Sequence, residues 1–173
     1  RQMCIRDRFQ ITDDAPEALR FATIAAGIGE GLEEQLTNFL TQHPDTSLVV
    51  IDTLQRIRTG SDSGNPYAND YRDISVLKAL ADKHHIAILL IHHLRKMNDD
   101  DPMNMISGTT GISGATDSNF VLKERRRGSG EATLYCTGRD IEYRELPLVF
   151  DKSGYTWRLT EPVEGERTSI DPE

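Results

Sequence analysis

The stretch Ser47-Leu48-Val49-Val50-Ile51-Asp52 decides the fold class, because it is an almost wholly apolar run that ends in one carboxylate. A strand without polar alternation is typical of a parallel sheet covered by helices on both faces. A second run, Ile86-Ala87-Ile88-Leu89-Leu90-Ile91, has the same character and is followed by His92 and His93. We predict that both runs are buried strands.

A helix is predicted between these strands, over residues 69–84, because its apolar side chains recur with the helical period. The apolar face consists of Ile74, Leu77, Leu80 and Ala81. The segment 53–66, rich in Gly, Ser, Asp and Asn, is predicted to be a loop. Strand, helix and strand of these lengths form a βαβ unit, so the two strands should be parallel neighbours.

The remaining chain is predicted to flank this unit. A strand is expected at 19–25, a helix at 30–42 and a long polar loop at 94–118. Four strands joined by hairpins are expected at 118–125, 132–137, 145–150 and 155–159. We expect residues 1–18 to be irregular or not native to the domain, one domain over 19–160, and a polar tail over 161–173.

The charge balance excludes a generic nucleic-acid coat. The 173 residues include 20 Lys and Arg against 28 Asp and Glu, a net charge of −8, whereas affinity for phosphate comes from clustered positive charge. Local basic patches remain open as either binding sites or solvated surface. These patches are Arg56 with Arg58, Arg95 with Lys96, and residues 123–127.

Cysteine usage and hydropathy point to the cytoplasm. Cys4 and Cys136 are far apart and form no C-x-x-C pair, which argues against a disulfide scaffold or a zinc knuckle. No apolar stretch approaches the ~20 residues that a membrane-spanning helix needs. We therefore expect a cytoplasmic protein.

The polar residues that follow the two apolar runs are the first candidate site. Ligands of open α/β sheets bind beyond the carboxyl ends of the parallel strands, and Asp52 and the pair His92 and His93 stand there. An apolar strand ending in Asp is typical of a Walker B segment, whose carboxylate holds Mg²⁺, usually through water. An Asp after a strand is also a common helix N-cap.

The wording around Asp52 extends the comparison to a family. Val50-Ile51-Asp52-Thr53-Leu54-Gln55 resembles the Walker B segment of RecA-like and DnaB-type helicase domains. Further matching segments are Asn69-Asp70-Tyr71, residues 88–93, residues 107–117 and residues 137–142. Together they resemble the RepA-like, RecA-fold ATPases of plasmids, phages and mobile elements. The resemblance implies an α/β fold with a mostly parallel sheet flanked by helices and C-terminal antiparallel β-hairpins.

The resemblance also implies a nucleotide site with ATP and Mg²⁺ as cofactors. Asp52 would be the Walker B magnesium ligand, through water, with Thr53 and Gln55 beside the nucleotide. His93 would stand where DnaB-type proteins have a Gln that senses the γ-phosphate. His92 is the competing choice, because adjacent strand residues point to opposite faces.

DNA, single-stranded by expectation, and a homo-hexameric ring are the implied partners. Ser107, Thr109 and Thr110 would belong to a loop lining the DNA channel, although a flexible connection has the same composition. Arg95 and Lys96 would contact DNA phosphates or cap a loop.

Arg139 resembles the arginine finger that a neighbouring subunit supplies to ring ATPases. A surface ion pair of Arg139 with Asp140 or Glu142 is the alternative. DnaB-type sequences often have a Lys two residues before that Arg, where this chain has Thr137.

The sequence departs from the family in one large respect. No G-x-x-x-x-G-K-[ST] motif occurs, and none of the five lysines follows a glycine. The resemblance places that phosphate loop and the catalytic Glu before the matched region, so we expect this chain to be part of an ATPase domain and not to hydrolyse ATP alone. Apolar surface would then be exposed, lowering solubility. The residues expected to be exposed are Val49, Val50, Ile88 and Leu90.

Two other functions fit parts of the sequence. One is a non-catalytic RecA-fold module that binds DNA or regulates replication. The other is a metal-dependent hydrolase, because His and carboxylate side chains are good ligands for divalent metals. Its ligands would be Asp52, His92, His93 and Asp117.

Overall fold

A computed structural model describes residues 18–58, 65–96, 99–108 and 110–160. The chain divides into two compact units, and the boundary lies between Asp117 and Ser118. The first unit contains helices and a parallel strand pair, and the second contains an antiparallel sheet. The α/β class predicted from the sequence is therefore confirmed. The segments predicted for 1–17 and 161–173 lie outside the described residues.

The first unit contains the βαβ unit predicted from the two apolar runs. Its elements are α1 (Leu32–Gln42), β1 (Leu48–Asp52), α2 (Leu54–Ile57), α3 (Pro66–His84), β2 (Ala87–Ile91), a 3-10 helix (Pro102–Met105) and α4 (Thr110–Ala115). Strands β1 and β2 pair in parallel, with Leu48 opposite Ala87 and Asp52 opposite Ile91. The helix between them, α3, begins three residues before the predicted start, because Asn65 caps it and Pro66 occupies the first turn.

One face of the parallel strand pair packs on the core of the first unit. Ile51, Ile88 and Leu90 contact a buried cluster drawn from α1, α2, α3, α4 and the segment before α1. The cluster consists of Ile28, Leu32, Leu54, Ile57, Ile74, Leu77, Ile112 and Ala115. Burying each large aliphatic side chain stabilises the fold by roughly 1.5–3 kcal/mol, so this cluster fixes the helices against the sheet.

The opposite face of the strand pair is exposed, so the prediction of burial on both faces is wrong for the described chain. Four apolar side chains point to it: Leu48, Val50, Leu89 and Ile91 are 53%, 54%, 41% and 38% exposed. Among the residues expected to be uncovered, Val50 is exposed, whereas Val49, Ile88 and Leu90 are half-buried on the helix side. The sequence could not separate the faces, because every position in both strands except Asp52 is apolar.

The strand predicted at 19–25 does not form, because its backbone is held by a side chain rather than by a neighbouring strand. Gln35 of α1 accepts a hydrogen bond from the Ala26 amide (3.0 Å) and donates one to the Ile24 carbonyl (3.2 Å). Residues 18–31 are irregular as a result.

The two segments predicted to be loops contain folded structure. The first, 53–66, contains α2, and the second, 94–118, contains the 3-10 helix and α4. A bridge between Leu94 and Ile106 closes the second segment, and the Arg95 amide donates to the Met105 carbonyl at 2.7 Å. Asp101 caps the 3-10 helix by accepting from the Met103 amide. These short elements lack the apolar period that reveals longer helices.

The second unit is a four-stranded antiparallel sheet. Its strands are β3 (Ser118–Glu124), β4 (Glu131–Gly138), β5 (Arg144–Asp151) and β6 (Thr156–Leu159), in that order. The predicted C-terminal hairpins are thus present. The expectation of a mostly parallel sheet differs from the structure, where the described residues form one parallel pair and one separate antiparallel sheet.

Candidate functional site

Asp52 lies at the carboxyl end of β1, beside the carboxyl end of β2. Its register partner is Ile91, and His92 and His93 follow directly. Parallel strand ends meet at one edge of a sheet, so the structure brings the acid and the histidine pair to the same edge. The Asp52 side chain is exposed there.

The two histidines occupy different environments. His92 is half-buried, its Nε2 lies 2.7 Å from the Ser107 carbonyl oxygen, and its buried Nδ1 has no hydrogen-bond partner among the described residues. A carbonyl oxygen only accepts, so Nε2 carries the proton in this contact. His93 is exposed. By strand alternation His93 continues the face of Ile91 and Asp52, and this favours His93 over His92 as the residue that meets a ligand at Asp52.

The interpretation of Asp52 as a helix cap does not agree with the structure. Thr53, not Asp52, occupies the N-cap position of α2, and the peptide bond between them is cis. Within the described part of the chain, no hydrogen bond or ion pair engages the Asp52 carboxylate. Thr53 is half-buried and its carbonyl accepts from the Arg56 amide, whereas Gln55 is exposed on α2.

The segment after β2 returns to the histidine pair. The Ser107 amide donates to the His93 carbonyl at 3.1 Å, and the Arg95 guanidinium donates to the Gly108 carbonyl. Arg95 therefore caps this loop, which was one of its two predicted roles. Lys96 is exposed, Thr110 is exposed at the start of α4, and Thr109 lies outside the described residues.

An ion-pair network that the sequence analysis missed stands beside this loop. Arg58 Nε lies 3.0 Å from Asp73 Oδ2, and Arg58 Nη2 contacts Asp70 Oδ1. Burial alone would lower the pKa of Arg58, but the hydrogen bonds and charges of Asp70 and Asp73 raise it above its usual range. Asp70 is the buried charged residue of the core, only 5% exposed. Its place in the quoted segment 69–71 was the one available signal, and Arg58 was assigned to a surface patch.

Gly108 connects the loop to this network by a close backbone approach. Its φ is +104°, and a methyl group at its Cα would lie 2.6 Å from Ile112 Cδ1 and 3.1 Å from Asp70 Oδ2. Only glycine combines this conformation with this approach. The loop after β2 is therefore seated directly on Asp70, the partner of Arg58 at the end of α2.

Arg139 belongs to the other unit, where it is exposed in the turn that follows β4. The Gly138 amide donates to the Ile141 carbonyl across this turn at 3.1 Å. Its role as an arginine finger stays a prediction.

The residues suit magnesium better than the four-ligand metal site of a hydrolase. No group of three or more His, Cys, Asp or Glu side chains within 18–58, 65–96, 99–108 and 110–160 could hold a metal ion. His92 is bound to Ser107, and Asp117 is 2.7 Å from Lys78 Nζ. Mg²⁺ usually keeps several waters and takes one or two carboxylates plus phosphate oxygens, so the exposed carboxylate of Asp52 fits it.

No helix in the described part of the chain combines the length and the apolarity that crossing a bilayer requires.

Comparisons with known proteins agree with this architecture. Residues 9–99 match the family AAA_25, described as an AAA domain. No curated protein matches the sequence. Among solved structures, the chain is similar to the ATPase domain of a DnaB-like helicase, with 13% identity and a TM-score of 0.64. The match covers 79% of this chain and 52% of that chain, so this chain spans about half the length of the solved domain.

Proposed function

Since this chain belongs to the AAA domain family and is a RecA-fold ATPase of the RepA and DnaB type, we propose that its protein is an ATP-dependent motor acting on DNA, as replicative helicases do. The observation that carries the proposal is the meeting of Asp52 and His93 at adjoining ends of two parallel strands. Both side chains are exposed at that edge, where a nucleotide can reach them.

The chemistry of these two residues suits a nucleoside triphosphate. Mg²⁺, when bound, bridges the phosphates and neutralises charge that develops during phosphoryl transfer. The Asp52 carboxylate would hold that ion through water, with Thr53 and Gln55 next to it. The His93 imidazole can donate a hydrogen bond to a phosphate oxygen, so His93 is our candidate for sensing the γ-phosphate.

The loop after β2 provides a route from this edge to DNA. Ser107 is bonded to the backbone of His93, so a movement of His93 on phosphate loss would be passed to Ser107, Thr109 and Thr110. Backbone amides and small hydroxyl groups suit phosphate contacts. Lys96 adds an exposed positive charge, while Arg95 maintains the shape of the loop through the Gly108 carbonyl.

A ring assembly completes the proposal. Arg139 would act on the nucleotide of a neighbouring subunit, where a guanidinium stabilises the transferring phosphoryl group. A homo-hexamer is the assembly that we propose for the full-length protein.

Steady-state ATP hydrolysis by the full-length protein, with and without single-stranded DNA, tests the proposal. We expect Asp52→Asn to lower turnover by about 100-fold or more, because it removes the charge that holds the metal. Asp45→Asn is the matched control, since Asp45 is an exposed aspartate in the turn after α1 and its variant should hydrolyse ATP like the wild type.

Wild-type turnover by Asp52→Asn would contradict the proposed site. DNA binding without any ATP turnover in the full-length protein would indicate the non-catalytic module instead of the motor.

A further inference from the structure

One end of the antiparallel sheet in the second unit carries two turns side by side. The turn between β3 and β4 (125–130) and the turn between β5 and β6 (152–155) lie at the same end, because all neighbouring strands are antiparallel. The Phe150 amide donates to the Gly130 carbonyl at 2.7 Å and holds the two turns together. We call this end of the sheet the turn face, formed by residues 124–131 and 150–157.

Aromatic rings cluster at the turn face. The ring centroids of Phe150 and Trp157 are 5.1 Å apart, and those of Phe150 and Tyr155 are 6.5 Å apart. Tyr155 is 50% exposed. A cavity of about 260 Å³ opens beside the rings. It is lined by Glu124, Gly128, Gly130, Phe150, Lys152 and Trp157.

The turn face is also rich in positive charge. Residues 118–160 contain eight Lys and Arg against six Asp and Glu, although the whole chain has 20 against 28. Arg125 pairs with Glu131 (3.8 Å) and Arg158 with Asp151 (2.6 Å). No described residue forms an ion pair with Arg126, Arg127 or Lys152. Three cations therefore stand next to an aromatic cavity with their charges available to a ligand.

We propose that the turn face binds a nucleobase together with its attached phosphate, either in a free nucleotide or in a single strand. Every nucleobase has a flat π-face that stacks on aromatic side chains. Cations bind the phosphate, and arginine does so with a planar fork of donors. Phe150 and Trp157 supply the stacking surface, and Arg126, Arg127 and Lys152 supply the charge. This site goes beyond the proposed function, which rests on Asp52 and His93 in the first unit.

Trp157 makes the proposal directly measurable, because it is the single tryptophan of the sequence. The 173-residue chain is titrated with ATP, with a single-stranded oligonucleotide of about 12 nucleotides, and with inorganic tripolyphosphate. We expect saturable quenching of Trp157 fluorescence by at least one of the two base-containing ligands and none by tripolyphosphate.

The two arms identify the source of the base. Quenching by ATP with an affinity equal to that of the oligonucleotide identifies a free-nucleotide site. Quenching by the oligonucleotide alone identifies a site for a single strand.

Two variants separate charge from stacking. The double substitution Arg126→Glu and Arg127→Glu should weaken binding about 10-fold or more, because it reverses two phosphate-facing charges. Phe150→Leu keeps an apolar side chain and removes the ring, and should weaken binding about 10-fold. Arg144→Glu, at the opposite end of the same sheet, makes the same charge change and should bind like the wild type.

The proposal is overturned if neither ATP nor the oligonucleotide quenches Trp157, if tripolyphosphate quenches equally, or if Arg144→Glu weakens binding as much as the double substitution. The exposed turn residues Arg126 and Arg127 can be replaced without disturbing the fold, so their variant stays informative if Phe150→Leu unfolds. Failure of the Asp52 experiment leaves this result standing, because Trp157 fluorescence does not depend on ATP turnover.

Discussion

His92 and His93 are adjacent in the chain but have different surroundings in the fold. His92 is half-buried and bonded to the Ser107 carbonyl, whereas His93 is exposed on the face of Asp52 and Ile91. The alternation of strand side chains separates them. One histidine therefore holds the loop after β2, and the other is available to a ligand.

Replacing each histidine by alanine should affect different properties. His92→Ala should lower the free energy of unfolding by about 1–2 kcal/mol, since it leaves the Ser107 carbonyl without its partner. His93→Ala should change it by less than about 0.5 kcal/mol. In the full-length protein, His93→Ala should lower ATP turnover about 10-fold or more, because it removes a donor to the phosphate. Chemical denaturation and ATP hydrolysis measure the two effects, and the reverse assignment would make His92 the sensor.

At the scale of elements, Gly108 determines how the loop after β2 meets α3 and α4. Its φ of +104° and its closeness to Ile112 and Asp70 leave no room for a side chain. Asp70 is in turn bound by Arg58 at the end of α2. The loop, α2 and α3 thus share one buried contact, and a change in the loop is felt at Asp70.

Gly108→Ala should destabilise the first unit by about 2 kcal/mol or more, because left-handed backbone strain and steric overlap add. Gly128→Ala is the matched control: its φ is +76°, but no atom lies within 4 Å of the added methyl group. Its cost should be only the strain, about 1 kcal/mol. Urea denaturation of both variants measures the difference, and equal costs would show that the Gly108 loop is free to move away.

The turn between β5 and β6 depends on the ionised form of Asp151. The hydroxyl and then the backbone amide of Ser153, together with the Arg158 guanidinium, hold the pKa of Asp151 well below its usual range. A carboxyl group whose pKa is lower in the folded state stabilises the fold above its unfolded pKa, which is about 3.9. This stabilisation is lost as the pH falls below about 4.

Asp151→Asn should therefore lower the thermal midpoint at pH 7, and its difference from the wild type should shrink as the pH falls below about 4. Thermal unfolding by circular dichroism between about pH 7 and pH 2 measures this. Asp140→Asn, an exposed aspartate in the turn after β4, is the control and should follow the wild type. A difference that does not change with pH would rule out the charge as the stabilising element.

At the scale of the whole molecule, the parallel strand pair has one covered and one uncovered apolar face. Val49 and Ile88 are half-buried on the helix side, while Val50 and Leu89 are 54% and 41% exposed on the other. Contiguous exposed apolar surface favours association. The uncovered face of the strand pair is thus available to whatever packs on it.

The 173-residue chain should self-associate, and Val50→Thr with Leu89→Thr should raise the monomer fraction by reducing that apolar surface. Val49→Thr with Ile88→Thr makes the same chemical change on the covered face. That control should lower stability by about 1 kcal/mol or more per site instead. Sedimentation velocity over a range of concentrations reports association, and a wild-type chain that stays monomeric would refute the prediction.

The sequence by itself determined the elements that have long apolar patterns. The βαβ unit, α1, the antiparallel hairpins and the position of Asp52 at a strand end all followed from periodicity, and the family followed from the motifs around Asp52. Local propensity and spacing carry this information, because these elements are formed by contacts close in the chain.

Tertiary structure alone decided which face of the strand pair is covered, which histidine is exposed and where Arg58 finds its partners. Both strands are apolar at nearly every position, so only the packed helices distinguish their faces. The strand expected at 19–25 failed for the same reason, since Gln35 satisfied its backbone groups instead of a neighbouring strand. Contacts between residues distant in the chain leave no local pattern, and for this reason they appear only in the folded molecule.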